Sequence, residues 1–369
     1  MRVLFLGPLP DPITGQSLAC QVFLDELIKH HHVDVVNMTK RGFKQGVSSF
    51  TRILEVVRIL LQTWRKSASA DVIYFTVSES YAGNAKDLLI YLLCFKRLPR
   101  MVIHLHGGAG IRRFMLSKRS VLRRVNEMFL RRVGGAIVLG PRHVDVFRNA
   151  LPMERIHVVP NFADEALFAD TESIERKFHA TTPLRILFLS NLLPGKGHLE
   201  LLDAFFAIDE GARRSIVIDF AGAFESDEQE RVFLGRINDV PQIRYHGTVR
   251  GEQRRGLFHQ AHVFCLPTYY PYEGQPLSIL EAYASGCAVI TTDHSGIRDV
   301  FAPEANGFEV AKRSSTDLAA AIERAIASPG TLHAMATTNV RTAELKYRTS
   351  TYNANMLRVI ESVGTASSL

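Results

Sequence analysis

Twelve short apolar runs, separated by stretches with helical periodicity, constrain the fold of this chain more than any other feature. Within each run, β-branched and other apolar residues follow one another without polar alternation, which is typical of strands buried on both faces of a parallel sheet. The runs lie at 3–6, 33–37, 72–76, 101–105, 136–139, 156–159, 185–189, 216–221, 243–246, 263–266, 289–292 and 308–310. The repetition predicts an α/β protein with two doubly wound domains.

The length of 369 residues agrees with two domains, because a single hydrophobic core rarely grows beyond about 250–300 residues. The polar stretch 162–183 interrupts the strand pattern and predicts the joint. We therefore expect a Rossmann-like domain at 1–165, a second one at 184–345 and a final helical stretch at 346–369. Ligands of such sheets bind outside the carboxyl ends of the strands, so a ligand crevice is expected there.

The sequence contains no signal for export, membrane spanning or a metal site. The apolar run at 1–7 is too short for a signal peptide, and the longest apolar run, 88–95, is far below the about 20 residues of a spanning helix. Cys20, Cys94, Cys265 and Cys287 form no C-x-x-C pair, and the run His30 to His32 points in several directions at a helix end. The default expectation is a reduced cytoplasmic protein without a bound metal.

Charge is distributed unevenly along the chain. Residues 1–162 contain 24 Lys and Arg against 11 Asp and Glu, which gives +13, whereas the remainder contains 20 against 26, which gives −6. A basic half predicts contact with something anionic. Its densest stretch interleaves apolar residues with eight basic ones and only Glu127 as an acid: Arg112, Arg113, Lys118, Arg119, Arg123, Arg124, Arg131 and Arg132.

This basic stretch, 111–132, is predicted to lie on an anionic membrane surface, where each basic residue contributes roughly 1 kcal/mol. The spacing leaves an alternative open, namely a domain helix with an apolar face in the core and a solvated charged face. Nucleic-acid binding has less support, because no recognition motif accompanies the charge.

The stretch from Glu273 to Glu281 combines two carboxylates with the start of a helix. A proline fits the first helical turn, apolar residues continue at helical spacing, and Gly286 ends the helix. Glu273 therefore lies on a loop and Glu281 lies more than one turn inside the helix. A helix N-terminus attracts phosphate and carboxylates accept from hydroxyls, so the stretch suits a polyhydroxylated phosphate ligand. The residues at the helix start are Gly274, Gln275, Pro276 and Leu277.

With a strand before it and another after it, this stretch resembles the Glu-x7-Glu motif of retaining glycosyltransferase family 4. The resemblance implies the GT-B fold, in which two Rossmann-like domains face a central cleft and the last helix crosses back to the first domain. It also implies that Glu273 contacts hydroxyls of the donor sugar and that Glu281 binds the nucleotide ribose. The loop between them would contact the sugar and the diphosphate.

The strand and loop at 184–197 are similar to the family's Gly-Arg-Leu…Lys-Gly segment, whose Arg and Lys bind the donor diphosphate. Lys196 matches the lysine, but Asn191 occupies the position of the arginine. This departure leaves one cation for the leaving group and does not say how the second charge is balanced. A lysine at a helix start is unfavourable to the helix dipole, which favours an anionic ligand beside it.

Three further loops follow strand ends. In the family, the glycine loop after the first strand lies near the donor phosphates and the acceptor; here it holds Gly15 and Gln16 instead of two glycines, and a plain strand-to-helix turn stays open. His104 and His106 share one face at the end of the fourth strand. The family has a histidine there that contacts the donor sugar, so His106 takes that role and His104 a structural one. Gly247 falls in the loop that frames the nucleotide base in the family.

The sequence thus predicts a retaining, metal-independent glycosyltransferase without a cofactor. It would move a sugar from a UDP- or GDP-linked donor to an acceptor hydroxyl, with His106, Lys196 and Glu273 in the catalytic site. The chain contains no Asp-x-Asp sequence, the usual metal-diphosphate holder of the other major glycosyltransferase fold. The expected acceptor is a lipid-linked saccharide of surface-polysaccharide assembly, at the inner face of the cell membrane. Two alternatives stay open: another GT-B enzyme, such as an epimerase or a phosphorylase, or a non-catalytic membrane- or polyanion-binding protein.

Overall fold

Each half of the chain forms one six-stranded sheet in which all neighbouring strands are parallel. The computed structural model describes residues 1–39, 49–117 and 120–366. The chain divides into a first unit, Met1–Asn161 with Ser350–Leu369, and a second unit, Phe162–Thr349.

The first sheet has the strand order β2-β1-β3-β4-β5-β6 and the second has the order β12-β11-β10-β7-β8-β9. The strands are β1 (Arg2–Gly7), β2 (His32–Asn37), β3 (Val72–Thr76), β4 (Met101–Leu105), β5 (Gly135–Val138), β6 (Ile156–Val158), β7 (Leu184–Leu189), β8 (Ile216–Ala221), β9 (Ile243–Tyr245), β10 (Val263–Leu266), β11 (Ala288–Thr291) and β12 (Gly307–Glu309). Each of the twelve predicted runs is a strand, with ends that differ by at most one residue from the prediction.

The helices connect these strands and cover the sheets. They are α1 (Gly15–His30), α2 (Ser49–Ser67), α3 (Tyr81–Leu93), α4 (Ala109–Met115), α5 (Val121–Leu130), α6 (Thr171–His179), α7 (His198–Ala207), α8 (Glu210–Arg213), α9 (Asp227–Ile237), α10 (Gly251–Gln260), α11 (Leu277–Ala284), α12 (Ser315–Ala327), α13 (Pro329–Lys346) and α14 (Thr349–Ala366). All residues of the central strands β3, β4 and β10 are buried, as the absence of polar alternation predicts for a sheet covered on both faces.

The order of the first sheet decides which helices lie side by side. From β2 to β3, β4 and β5, the chain moves in one direction across the sheet, and right-handed crossovers then place α2, α3 and α5 on the same face. The amides of Asn84 on α3 and Asn126 on α5 bond to each other at 2.9 Å, and the rings of Tyr91 and Phe129 pack between the same two helices. The step from β1 back to β2 reverses direction, so α1 lies on the other face.

The basic stretch 111–132 does not form one helix. Its described part comprises the end of α4 and all of α5, and Lys118 and Arg119 lie outside the described residues. Phe114, Met115 and Phe129 are buried in the core of the first unit, so much of the apolar content of the stretch is core. In the described part of the chain, no helix is both long enough and apolar enough to cross a bilayer.

Candidate functional site

Polar side chains gather where three strands of the second sheet end. Asn191 and Lys196 follow β7, Thr268 and Glu273 follow β10, and His294 follows β11. Because β11, β10 and β7 are neighbours and parallel, their carboxyl ends meet at one edge of the sheet. Ligands of doubly wound folds bind at this edge.

Lys196 and Glu273 form an ion pair at this edge. The Lys196 Nζ atom lies 2.7 Å from Oε2 of Glu273, and the two side chains are only 13% and 9% exposed. Thr268 donates its hydroxyl to the same carboxylate oxygen at 3.0 Å, and the lysine ammonium lies 4.8 Å from the centre of the Tyr270 ring. The lysine ammonium is thus held at a fixed position by a carboxylate and an aromatic face.

The glycines on both sides of Lys196 adopt the backbone conformation that its loop requires. Gly195 and Gly197 have φ angles of 91° and 92°, a left-handed region that favours glycine. A Cβ atom on Gly197 would lie 2.5 Å from Cγ of Pro267, so the loop also needs the space. Lys196 is therefore held between two glycines, next to the end of the strand that leads to Glu273.

The two helices beside this ion pair begin without a side-chain cap. Helix α7 starts after Gly197 and α11 starts after Pro276, and neither of these N-cap residues supplies a side-chain capping hydrogen bond. By contrast, α5, α9 and α12 are capped by the serines Ser120, Ser226 and Ser314. Gly274 to Leu277 are all buried. Two uncapped N-terminal turns near a lysine favour an anion at this edge.

Glu281 is buried inside α11 and pairs with Arg254 of α10. Arg254 also contacts Asp164, at 3.1 Å between Nη1 and Oδ2. Burial raises the pKa of Glu281, and the Arg254 guanidinium opposes this rise. Glu281 lies inside the helix, as predicted. The sequence did not indicate its partner Arg254, or Asp164 on the other side of that arginine, because nothing in their local sequence points to a contact with α11.

Thr268 and His294 were missed as well, although a signal for them existed. Each follows a strand end at the same edge as Lys196, which is where site residues are expected in such sheets. The His294 ring bonds through Nε2 to the Tyr270 carbonyl at 2.7 Å. Burial lowers the pKa of His294, so this ring is held neutral near the ion pair.

Other predicted residues of the second unit lie at the same edge of the sheet. Asn191 is partly buried just after β7. Gly247 follows β9 with a φ of 63°, and its carbonyl accepts from the Gly222 amide at 2.8 Å. The neighbouring His246 lies 2.7 Å from Asp219. Gly247 thus lies in a loop fixed by the ends of β8 and β9.

In the first unit, His106 belongs to a cluster of neutral groups. The rings of His104 and His106 lie side by side at 3.9 Å, as their predicted common face requires. Tyr74 shares a 2.7 Å hydrogen bond with Nδ1 of His104, and Sγ of Cys20 lies 3.8 Å from Nε2 of His106. Burial lowers the pKa of His106 to about 3. His106 is partly exposed, and its Nε2 atom faces Cys20 and the hydroxyl of Tyr74.

The glycines after His106 lie close to a carboxylate that the sequence did not indicate. Glu79 accepts hydrogen bonds from the amides of Gly108 and Gly110, at 2.8 and 3.2 Å. A Cβ atom on Gly107 would lie 1.6 Å from Oε1 of Glu79. The backbone of these glycines therefore lies close to the Glu79 carboxylate.

The loop after β1 ends in a capped helix. Gly15 and Gln16 open α1, and Thr14 and Ser17 form a reciprocal capping box at its start. The side chain of Thr14 thus satisfies one of the first amides of α1, unlike the starts of α7 and α11. Gly15 is exposed and Gln16 is partly exposed.

Two arginines of the basic stretch are held by ion pairs. Arg112 bonds to both oxygens of Asp145 at 2.7 Å, and Arg123 lies 2.7 Å from Glu127. Arg113 and Arg124 are exposed. In the described residues, no group of three or more His, Cys, Asp or Glu side chains could hold a metal ion.

Comparison with known families assigns residues 170–342 to a family model, described as glycosyl transferases group 1. The matched segment lies in the second unit and contains Lys196, Glu273 and Glu281. No curated protein sequence matches the chain.

Several solved structures share the architecture of both units. HepE from Anabaena, solved in complex with UDP, has a TM-score of 0.71 at 18% identity and covers 98% of this chain and 100% of its own. Sucrose-phosphate synthase from Thermosynechococcus elongatus has a TM-score of 0.76 at 16% identity, with coverage of 99% and 100%. WaaG, a glycosyltransferase involved in lipopolysaccharide biosynthesis, has a TM-score of 0.69 at 14% identity, with coverage of 97% and 98%. These likenesses confirm the predicted fold class, GT-B.

Proposed function

We propose that this protein is a retaining glycosyltransferase that transfers a sugar from a nucleotide diphosphate sugar to an acceptor hydroxyl. One observation carries the proposal: the Lys196–Glu273 ion pair lies at the carboxyl edge of the sheet, inside the segment that matches group 1 glycosyl transferases. HepE, which has the same fold, was solved with UDP-glucose. A UDP- or GDP-linked sugar is therefore the proposed donor.

Lys196 is assigned to the donor diphosphate. Negative charge on the diphosphate grows as the glycosidic bond breaks, and a fixed ammonium stabilises that charge most in the transition state. The uncapped first turns of α7 and α11 add amide donors for the same anion. This supply of positive charge supports a reaction without a metal, and Asn191 in place of the family arginine leaves Lys196 as its main side-chain source.

The two glutamates are assigned to hydroxyl groups of the donor. Glu273 would accept from the sugar hydroxyls while Lys196 and Thr268 hold its carboxylate. Glu281 would accept from the ribose, and its ion pair with Arg254 supports the charged form of a buried carboxylate. His106 is assigned a contact with the donor sugar. Gly15, Gln16 and Gly247 are assigned positions near the donor.

The proposed chemistry needs no enzymic nucleophile. The bond from the anomeric carbon to the diphosphate oxygen breaks, the bond to the acceptor oxygen forms on the same face, and the departing phosphate takes the acceptor proton. The anomeric configuration is then retained. The bonds broken and formed and the transferred proton balance with the donor and the acceptor alone, so the proposal includes neither a metal nor a cofactor.

The proposed acceptor is a lipid-linked saccharide, such as a polyprenyl-diphosphate saccharide of O-antigen, capsule or exopolysaccharide assembly. An enzyme with such an acceptor would work in the cytoplasm at the inner face of the membrane. The excess of +13 in residues 1–162 and the exposed side chains of Arg113 and Arg124 support this placement.

The test is a product assay with UDP- and GDP-sugars, run with and without a lipid-linked acceptor and with EDTA present. We expect a glycosylated acceptor whose new linkage keeps the anomeric configuration of the donor, measured by NMR. Conversion of the donor without an acceptor would favour an epimerase, and transfer of the sugar to inorganic phosphate would favour a phosphorylase. If no nucleotide or nucleotide sugar raises the melting temperature and no product forms, a non-catalytic binding protein is the better explanation.

A further inference from the structure

The outward sides of α2 and α3 expose large apolar side chains that the proposed chemistry does not use. On α2, five of them are between 43% and 60% exposed, and with 3.6 residues per turn they form one stripe along the helix. They are Ile53, Leu54, Val57, Leu61 and Trp64. On α3, Leu89, Leu92 and Leu93 are between 40% and 60% exposed. These eight residues are called the apolar face.

The apolar face is additional to the core of the first unit. The side of α2 that contacts the unit's interior carries Ile59, Thr63 and Ser67, which are all buried. On α3, Ile90 and Tyr91 fill the same interior. The two helices pack against each other on one face of the sheet. Their exposed residues are therefore apolar surface outside the core, and exposed apolar surface on neighbouring helices is typical of an interaction site.

The charges next to the apolar face are basic. Arg58 and Arg65 are exposed and lie along one side of the α2 stripe, one and four residues beyond Val57 and Leu61. The acids of the two helices are less accessible, since Glu55 is only partly exposed and Asp87 is buried. An apolar stripe bordered by arginines has the composition of helices that lie in the interface of an anionic bilayer.

This charge distribution favours an anionic bilayer over a protein as the partner of the apolar face. A second copy of the chain docked through the same face would add more arginines but few accessible acids, since Glu55 is only partly exposed and Asp87 is buried, and excess like charge at an interface costs free energy. An apolar protein partner would leave the arginines without a role. A bilayer with anionic lipids accepts both groups, because apolar side chains enter the acyl boundary while arginines reach the lipid phosphates.

We infer that the apolar face of α2 and α3 docks on an anionic lipid bilayer, with Trp64 and the leucines at the boundary between headgroups and acyl chains. This surface is separate from the basic stretch 111–132, which the sequence indicated. It borders that stretch through the contact of α3 with α5, so the two extend one membrane-facing side of the unit. The inference concerns membrane contact and is independent of the sugar-transfer chemistry.

The chain contains a single tryptophan, and it lies on the apolar face, 59% exposed. Its fluorescence therefore reports on this surface alone. With vesicles that contain phosphatidylglycerol, we expect the emission to shift to shorter wavelength and to be quenched by lipids brominated on the acyl chains. With phosphatidylcholine vesicles, or at about 1 M salt where charges are screened within about 3 Å, both effects should shrink.

Two double variants distinguish the insertion of apolar side chains into lipid from the attraction between arginines and lipid phosphates. Val57→Gln with Leu61→Gln should weaken vesicle binding about tenfold or more, because two apolar side chains lose their burial in lipid. Arg58→Glu with Arg65→Glu should weaken binding to anionic vesicles and leave the weak binding to neutral ones unchanged. The matched control is Ile28→Gln, since Ile28 is 57% exposed on α1, on the other face of the same sheet.

Circular dichroism and the thermal shift with nucleoside diphosphates verify that each variant is folded. Equal vesicle binding by the parent and the Val57→Gln, Leu61→Gln variant would overturn the inference. So would a blue shift that appears without lipid and grows with protein concentration, because it would identify a second copy as the occupant; sedimentation velocity distinguishes this case. Loss of vesicle binding in the Arg123→Glu, Arg124→Glu variant alone would assign the membrane contact to the basic stretch instead.

Discussion

Both units place polar side chains at the carboxyl edge of a parallel sheet, but the histidines of the first lie in a cluster of neutral groups, whereas the second holds ion pairs. His104 and His106 of the first unit lie against Tyr74 and Cys20, and burial keeps both imidazoles neutral. In the second unit, lysine and arginine side chains pair with Glu273 and Glu281. The same architecture thus carries two kinds of site, one suited to hydroxyl groups and one suited to an anion.

The outer surfaces of the units differ as well. The first unit contains 25 basic and 12 acidic residues, a balance of +13, and the second contains 19 and 25, a balance of −6. Exposed large apolar side chains of the second unit are spread over α7, α9, α13 and a loop, whereas α2 and α3 carry nine of the eighteen in the described part of the first unit. This difference is the basis of the proposed division of tasks, with membrane docking on the first unit and the charged chemistry on the second.

The largest expected effect concerns two arginine–carboxylate pairs, one in each unit. Arg254→Met leaves the buried Glu281 carboxylate without a cation and should cost about 3–5 kcal/mol of unfolding free energy at neutral pH. Arg112→Met breaks the Arg112–Asp145 pair, whose side chains are 31% and 34% exposed, and should cost at most about 1 kcal/mol. Denaturant unfolding followed by circular dichroism measures both.

The pH dependence gives the sign of this effect. Without Arg254, burial holds the pKa of Glu281 above its unfolded value, so the folded state binds the extra proton more readily. The loss of unfolding free energy in Arg254→Met should be largest above the pKa that Glu281 has in the folded state. It should shrink as the pH falls toward the pKa that this carboxyl has in the unfolded state. Arg254→Met combined with Glu281→Leu should regain stability but not nucleotide binding. A loss in Arg254→Met no greater than that in Arg112→Met would contradict the buried ion pair.

The strands were predictable because a strand covered on both faces needs an unbroken apolar run, and the loops between them do not have one. Lys196 and Glu273 were identified by their resemblance to glycosyltransferase segments, and both lie after strands whose carboxyl ends meet. Neither the apolar runs nor this resemblance located Arg254, because the α10–α11 contact depends on tertiary packing that local sequence does not encode.

The apolar face of α2 illustrates a second limit of the sequence. A stripe of apolar residues at helical spacing usually marks the side of a helix that packs on the core. On α2, however, the stripe from Ile53 to Trp64 faces outward, and a less apolar side with Thr63 and Ser67 packs inward. Periodicity shows that a helix has an apolar stripe but not what the stripe contacts. The run at 88–95 has the same ambiguity, since it supplies both buried and exposed residues of α3 and the segment after it.

The second prediction tests whether the charged chemistry belongs to the second unit. Lys196→Ala should lower kcat about 10²–10³-fold, with a smaller change in donor affinity, because the lysine matters most when charge develops on the diphosphate. Lys346→Ala is the matched control, since Lys346 is an exposed lysine on α13. Steady-state kinetics separate kcat from KM.

A raised KM with an unchanged kcat would mean that Lys196 contributes only uniform binding. Asn191→Arg sharpens the same test, because it restores the second cation that the family segment has. Higher activity in Asn191→Arg would show that the absence of the second cation lowers the activity of the parent. Unchanged activity would indicate that the amides of α7 and α11 already supply the charge.

The smallest expected effect is at His106, and it tests the neutral character of the first unit's site. The pKa of His106 is lowered to about 3 by burial, so the imidazole carries no charge between pH 5 and 8. His106→Gln should lower kcat/KM about 2- to 10-fold, the loss of one neutral hydrogen bond. The ratio of parent to variant should stay constant over pH 5–8, whereas a charged imidazole would make it change near pH 6.5. Stability gives an independent check, because a pKa below its unfolded value adds stability above about pH 6.5 that is lost as the pH falls toward 3. His106→Gln should therefore lose less stability than the parent on acidification, and a parent and variant that lose stability in parallel would contradict the buried, neutral imidazole.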